Sequence, residues 1–559
     1  MNKIYDFNLA KNKYPTMTFE AFLKLFLDFE NRDELDFRKV SVNVPLDFQS
    51  EFNNLVKKHV LAGHKIAIIG DYDVDGVCAS AIMQKALQKV TSPENVKVFI
   101  PNRFKDGYGL NVRLVDEAIN LGCKLIITVD NGIKANNAID DAISKGLDVI
   151  VTDHHIPDMN NLPKATVIIN PHIGNNHLHT HDICGAMVAF LLTRQMLGAN
   201  GVFQEYGEEV YNVRFLNELS ELAAIATICD VMPLIYENRK IVAYLLNMMH
   251  RNEDVNLGIS KLMSILKTGR YEFNVESVSY GLGPCLNASG RLDSAYTSLS
   301  LLTENNLDEL ERLANELDKL NNDRKELTLT LKKEAMKQLD QTGVNVICLK
   351  NASEGIIGII AGKVCEDTGN PTFVFTKTEE GFFKGSGRSP KWCNLIEVAS
   401  DVLKSMNSGV LGYGGHAGAM GLSLQDNSAV DLFKAGLVKR IATMNKETEV
   451  QRAIRFPKEM SLEEVKTILD KFEPYGEGFE EPLFVCRTPI NNISGMGESH
   501  CRFLGFLNGE KTNFYYFFNF LDEYYEGKMV NCYFNIHKDV AESVGHPVYS
   551  CYVKFIEEI

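Results

Sequence analysis

No stretch of the 559-residue chain comes near the roughly 18 consecutive apolar residues of a membrane-spanning helix. The opening residues, MNKIYDFNLAKNKYP, have no apolar core and no small-residue cleavage site. The expectation is an intracellular, cytoplasmic protein. None of the 12 cysteines stands in a C-x-x-C pair, which argues against zinc knuckles and against a disulfide framework. Reduced, buried thiols are the reading. Positive charge is also short, with 58 Lys and Arg against 73 Asp and Glu and a net charge of −15. A surface generally attractive to nucleic acid is therefore not expected, but a local basic groove stays open, because affinity comes from the side chains that meet phosphate.

What is present is a globular composition, 45% hydrophobic and 23% charged, in a chain too long for one core. Residues 1–60 are polar and mixed and read as a helical leader packed on the next domain. From Lys65 to Asn170, short apolar strands (KIAIIG, VKVFIP, KLIITVD, LDVIVTD, ATVIIN) alternate with helical stretches. That alternation predicts βαβ units and a buried parallel sheet in an α/β domain. Ligands of such sheets sit beyond the carboxyl ends of the strands.

Acids collect at that edge. KIAIIGDYDVDG supplies Asp71, Asp73 and Asp75, read as alternate residues of an extended strand end whose carboxylates converge, with Gly76 opening the exit turn. TVDNG supplies Asp130, VTDHH supplies Asp153, His154 and His155, and a helix-like segment from Phe215 runs into ICDVMPL with Asp230. A single aspartate at a strand end is usually a cap or turn residue. Several at one edge are hard to explain as caps, and like charges that close call for hard divalent cations, Mg²⁺ or Mn²⁺.

Residues 292–342 lack both Gly and Pro, and Leu310, Leu313, Leu317 and Leu320 form a heptad-like stripe. A helix over 304–341, about 55 Å long, would bridge two domains. A second domain comes next, over 343–445, with glycine-rich KGSGRSP and GYGGHAGAMGLSL, where glycine would let backbone N–H groups approach an anion. Residues 446–559 carry Tyr- and Phe-rich strands such as NFYYFFNF and VYSCYVKF and read as a small β barrel or sandwich. Whether those aromatics are core or a stacking platform stays open.

DYDVDG, TVDNG, VTDHH and the Asp of ICDVMPL, in this order, resemble motifs I to IV of the DHH phosphoesterase superfamily. PNRFKDGYGL, LNASGR, EGIIGIIAGKV, KGSGRS, GGHAGAMGL and FEPYGEGFEEPLF narrow the resemblance to the RecJ family of single-strand-specific DNA exonucleases, from about residue 65 to the C-terminus. The resemblance implies a DHH catalytic domain over 61–290, a connecting helical segment over 291–342, a DHHA1 domain over 343–445 and an OB-like nucleic-acid-binding domain over 446–559. It implies 5′ to 3′ degradation of single-stranded DNA to 5′-mononucleotides with two Mn²⁺ or Mg²⁺ ions, a role in DNA repair and recombination, and single-strand-binding protein and a helicase as partners.

By the same resemblance Asp73 would hold one metal, Asp130 would bridge, and Asp75, His154 and Asp230 would hold the other, with Asp71 beside them. Asp153 would orient His154 through its second ring nitrogen, and His155 would face the scissile phosphate. Arg291, Ser386 and Arg388 would bind the 5′ phosphate, with Arg103 and His416 nearer the reacting group. Four positions depart from the family pattern: Ala352 and Ser353 where Trp-His is common, Cys285 where Arg is frequent, and Phe479 in place of Asn. Two rival readings are a DHH phosphodiesterase of short oligonucleotides or cyclic dinucleotides, and an inactive replication scaffold. The C-terminal OB region speaks against the first and the retained acids and histidines against the second.

Overall fold

The computed structural model describes residues 3–27, 44–103, 106–198, 201–205, 212–251, 253, 256–269, 273–350, 352–406, 408–444, 446, 452–497, 500–517, 519, 521–540 and 547–559. They form two compact units: one from the N-terminal residues, Pro233–Ile235 and the chain from 452 onward, the other from the rest.

The larger unit contains two lobes. In the first, five parallel strands lie in the order Val96–Phe99, Lys65–Ile69, Cys123–Val129, Asp148–Thr152 and Val167–Ile169. Ile66, Ala67, Ile68 and Ile69 are wholly buried, as a parallel strand covered on both faces should be. Helices Val74–Leu87, Gly185–Leu197 and Val213–Cys229 pack on one another and are themselves almost entirely buried, so their apolar residues run all round rather than on one stripe.

The second lobe is a mixed sheet in the order Val410–Gly415, Ala419–Leu424, Phe383–Arg388, Thr372–Lys377 and Asn345–Leu349. Helix Glu354–Thr368 covers one face and helices Leu395–Ser405 and Asn427–Ala442 the other. Between the lobes runs helix Leu307–Met336, capped by Asn306, with 30 residues and hence about 45 Å of length. It is shorter than the expected 304–341 because the chain turns at Glu304, after helix Tyr296–Thr303. Leu310, Leu313 and Leu317 are buried, and Leu331 and Ala335, near its far end, join the core of the second lobe.

The smaller unit corrects the reading of residues 1–60 as one leader. Strand Lys3–Asp6 pairs in parallel with Arg452–Arg455 at the edge of an eight-stranded sheet. Phe7, Phe19, Phe22 and Phe26 of the first two helices pack into its core with Phe456, Phe484, Phe514 and Phe534. Helix Gln49–Leu61 belongs instead to the larger unit. The aromatic runs divide by strand alternation: Phe503 and Phe514 are core, whereas Tyr515, Phe517, Tyr552 and His537 are half-buried and lie against one another on the other face. Phe518 and Phe520 fall outside the described residues.

Candidate metal centre and anion pocket

The Asp71–Asp75 segment is not an extended strand end. The strand stops at Ile69, and Asp73 is the N-cap of helix Val74–Leu87, accepting the Gly76 N–H at 3.0 Å. Asp75 lies in the first helical turn, where Gly185 and Ala186 donate their N–H groups to its two oxygens at 2.6 and 2.7 Å. The carboxylates therefore converge because a loop turns into a helix. Gly76 is needed for a close approach rather than an open exit, since a Cβ there would lie 2.6 Å from the Asp71 backbone.

Asp130 follows strand Cys123–Val129 with φ of 63°, a left-handed conformation that Asp tolerates better than most residues. Its neighbour Asn131 is fully buried and ties strand ends together: Nδ2 donates to the Ile69 and Val129 carbonyls, each at 2.9 Å, and Oδ1 accepts from Leu110 N–H at 3.0 Å. Asp230 caps the C-terminus of helix Val213–Cys229. His154 Nε2 stands among these acids, 3.2 Å from Asp130 Oδ1, 3.6 Å from Asp230 Oδ2 and 3.7 Å from Asp75 Oδ2.

Three sets result. Ligand atoms of Asp75, His154 and Asp230 lie within 4.8 Å of one another, as do those of Asp71, Asp73 and Asp130, and a third set, Asp130, His154 and His155, overlaps both. Asp71 Oδ1, Asp130 Oδ1 and Asp230 Oδ2 are buried without a hydrogen-bond partner. Burial, then the neighbouring carboxylates, pushes the carboxyls of Asp71, Asp73 and Asp130 above their usual range, and that of Asp230 up to about 9. Orphaned buried oxygens in a mutually repelling cluster, with the imidazoles of His154 and His155 beside them, fit hard divalent cations, which would satisfy both the lone pairs and the charge.

Asp153 does not touch the His154 ring. Its Oδ1 accepts from His155 Nδ1 at 2.8 Å and from the His154 and His155 backbone N–H groups at 2.8 and 3.1 Å, while Oδ2 accepts from Ile133 N–H at 2.9 Å. The carboxylate closes a turn over the next two residues, which sets the second imidazole beside it and sends the first toward the acids. Burial alone would raise the Asp153 carboxyl, but His155 and the N–H donors hold it below its usual value. Tyr108, missed in the motif PNRFKDGYGL, donates its hydroxyl to the Asp130 carbonyl at 3.0 Å and lies 3.3 Å from His155 Nε2.

The second set of predicted residues gathers basic groups. Arg291 ends helix Gly283–Leu292, Ser386 and Arg388 share one face of strand Phe383–Arg388, and Arg103 stacks on the Tyr72 ring at 4.8 Å. Arg388 Nη1 donates to Ser386 Oγ at 3.2 Å. His416 is exposed, before strand Ala419–Leu424, in electrostatic reach of Arg388 and His155. Burial lowers the Arg291 guanidinium to about 10, with Arg103, Arg324 and Arg388 adding repulsion. Among the described residues none of these arginines pairs with a carboxylate within 4.0 Å. Arg324, on the bridging helix, had no motif to betray it.

The glycines of KGSGRS have a different cause from the one expected. A Cβ on Gly385 or Gly387 would lie 2.3 or 2.5 Å from the Phe375 or Phe373 ring. They let the strand close on two phenylalanines, and alternation then turns Lys384, Ser386 and Arg388 to the other face. Lys384 is matched by Glu354, at 2.6 Å.

The family models match along the chain: the DHH family N-terminal domain over residues 65–227, the DHHA1 domain over 341–443 and the RecJ OB domain over 456–541. The single-stranded-DNA-specific exonuclease RecJ of Escherichia coli (strain K12) is 33% identical over 457 residues, which is 79% of this chain and 78% of that protein. The chain belongs to the RecJ family. Among solved structures, RecJ from Thermus thermophilus in complex with Mn²⁺ superposes with a TM-score of 0.79 at 26% identity, covering 97% of this chain and 76% of that one. The Mg²⁺ complex of the same protein gives 0.73 at 25% identity, covering 97% and 74%.

Against the RecJ pattern, the departures occupy supporting positions. Ser353 caps helix Glu354–Thr368, accepting the Gly355 N–H at 3.2 Å, and the Ala352 carbonyl accepts the Thr376 hydroxyl at 2.7 Å. Cys285 is buried in helix Gly283–Leu292, and Phe479 is buried and stacked on Tyr475 at 5.6 Å.

Proposed function

We propose that this protein is a single-strand-specific DNA exonuclease that works from the 5′ end and releases 5′-mononucleotides by hydrolysis, in cytoplasmic DNA repair and recombination. The observation that carries the reading is the presence, in one compact unit, of an acid and imidazole cluster fitted to divalent cations and of half-buried arginines that, among the described residues, form no ion pair within 4.0 Å. Relatives named as single-stranded-DNA-specific exonucleases and RecJ structures holding Mn²⁺ or Mg²⁺ support it. Single-strand-binding protein and a helicase are proposed partners on the family resemblance alone. Among the described residues no helix is long and apolar enough to cross a membrane, which accords with the cytoplasmic assignment.

Asp73 would hold one cation, Asp130 would lie between the two, and Asp75, His154 and Asp230 would hold the other, with Asp71 beside them. When bound, the cations supply Lewis-acid charge to the attacking water and to the scissile phosphoryl oxygens. The rest falls to the chain. The Gly185 and Ala186 N–H groups fix both oxygens of Asp75, and the left-handed turn at Asp130 aims its carboxylate at His154. Burial would lower the His155 imidazole, but Asp153, and after it Asp75 and Asp73, outweigh burial and hold the group above its usual value. Arg291, Ser386 and Arg388 take the terminal phosphate, with Arg103 and His416 nearer the reacting group, so attack falls on the next one.

Digestion of a 5′-labelled and a 3′-labelled single-stranded DNA with Mn²⁺, beside an Asp130→Ala control, tests the reading. Immediate release of labelled mononucleotide from the 5′-labelled strand alone, absent in the control, is expected. Survival of the long strand while dinucleotides or cyclic dinucleotides are cut would replace it with the short-oligonucleotide phosphodiesterase.

A further inference from the structure

Helix Gly283–Leu292 touches both halves of the site within little more than one turn. On one side Asn287 Oδ1 accepts the Val74 N–H at 3.1 Å, between the carboxylate residues Asp73 and Asp75. Gly290 packs against the same loop so closely that a Cβ there would lie 2.2 Å from the Tyr72 carbonyl oxygen. On the other side Arg291 Nη1 donates to the Gly355 carbonyl at 3.1 Å, and a Cβ on Gly355 would lie 2.3 Å from the Arg291 carbonyl oxygen. Three residues further along, Gly358 abuts Ser386 and Arg388, 3.0 Å from Ser386 Oγ and 3.2 Å from Arg388 Nη2 for a Cβ built on it.

We propose that this helix is the ruler of the reaction: it fixes the span between the acid cluster and the anion pocket, and thereby sets the product at one nucleotide. Asn287 and Arg291 are four residues apart on the helix, about 6 Å along the axis, the order of the spacing between successive phosphates in an extended strand. Each end combines a side-chain hydrogen bond, from Asn287 or Arg291, with a close backbone approach, Gly290 on the Tyr72 carbonyl or Gly355 on the Arg291 carbonyl. The Val74 N–H and the Tyr72 carbonyl belong to the loop that carries the acids, and Gly355 begins the helix that abuts Ser386 and Arg388. The helix itself is anchored by the Ser298 hydroxyl, which donates to the Leu286 carbonyl at 2.7 Å and meets Ser289 Oγ at 2.8 Å. Asn287, Gly290 and Gly355 are therefore positioning residues. Displacement of about 1 Å at reacting atoms costs about a hundredfold in rate, and a terminal phosphate no longer seated at a fixed span lets the strand advance by a further nucleotide, so a fault at either end shows both as slower cutting and as a loss of register.

The inference rests on the exonuclease reading, and product length separates the two. A 5′-phosphorylated strand labelled at its 5′ end is digested by the wild type, Gly355→Ala and Asn287→Ala, with Mn²⁺ affinity measured by calorimetry. The first substitution loosens the pocket end and the second the acid-cluster end. Wild type should yield mononucleotide, and each variant at least tenfold slower cleavage with a clear fraction of labelled dinucleotide. Gly355→Ala should keep its Mn²⁺ affinity within twofold, and Asn287→Ala covers the case in which Gly355→Ala does not fold. Variants that slow while still releasing only mononucleotide, or that behave as wild type, overturn the ruler and leave the exonuclease. A wild type that releases no 5′ product overturns the exonuclease and the ruler with it.

Discussion

Asp153 shows what one buried carboxylate does when it stands outside the clustered acids. It accepts four hydrogen bonds, three of them on one oxygen, and its ring partner is His155. Asp153→Asn keeps the size but loses the charge beside His155, and its amide nitrogen can no longer accept the Ile133 N–H. A loss of about 10- to 100-fold in kcat is expected, the usual cost of removing such a supporting group. Mn²⁺ affinity should be little changed, because His154 and the acids keep their places. Calorimetry beside steady-state kinetics checks both; a matching loss of Mn²⁺ affinity would return Asp153 to His154.

At the scale of an element, strand Phe383–Arg388 is the instructive case. Its inward positions at Gly385 and Gly387 have no room for a side chain, so the outward face can present three polar groups in a row while the strand lies tight on Phe373 and Phe375. Gly385→Ala forces its Cβ into the Phe375 ring, which is itself part of the core and has nowhere to go. The expected cost is about 1 to 3 kcal/mol, read as a lowered denaturant midpoint, with weakened binding of a 5′-phosphorylated strand as Ser386 and Arg388 shift. A variant as stable as wild type would mean that the strand slides rather than strains.

Two predictions belong to the whole molecule. Chelation should lower the melting temperature, because the clustered acids lose the charge that offsets their repulsion, and Mn²⁺ or Mg²⁺ should restore it. The gain at a hundredfold excess over Kd is about 2.7 kcal/mol, and a melting curve indifferent to both chelator and cation would contradict the fit of the acid cluster. Removal of residues 1–27 should unfold the C-terminal sheet. Burial of each of Phe7, Phe19, Phe22 and Phe26 contributes about 2 kcal/mol, together comparable with the roughly 5–15 kcal/mol that holds an ordinary domain. Early proteolysis beyond residue 450 in the truncated chain is the expected sign, and full resistance there would show that the sheet stands alone.

The sequence by itself determined the parallel sheet, the edge at which the acids collect, the bridging helix and the family. Each depends on local periodicity or on residues spaced a few positions apart, and strand alternation or helical period carries that information without knowledge of the partners. What tertiary structure decided is of another kind. The conformation of the Asp71–Asp75 loop follows from N-capping by Asp73 and from N–H donors on a helix more than a hundred residues later. The ring that Asp153 holds depends on which imidazole the turn leaves beside it. The N-terminal strand lies beside residue 452, and Arg324 acts electrostatically on Arg291, only because distant segments share a sheet or a helix pair. Hydrogen bonds and close backbone contacts between residues far apart in the chain leave no period in the sequence, and they are what give the two halves of the site their spacing.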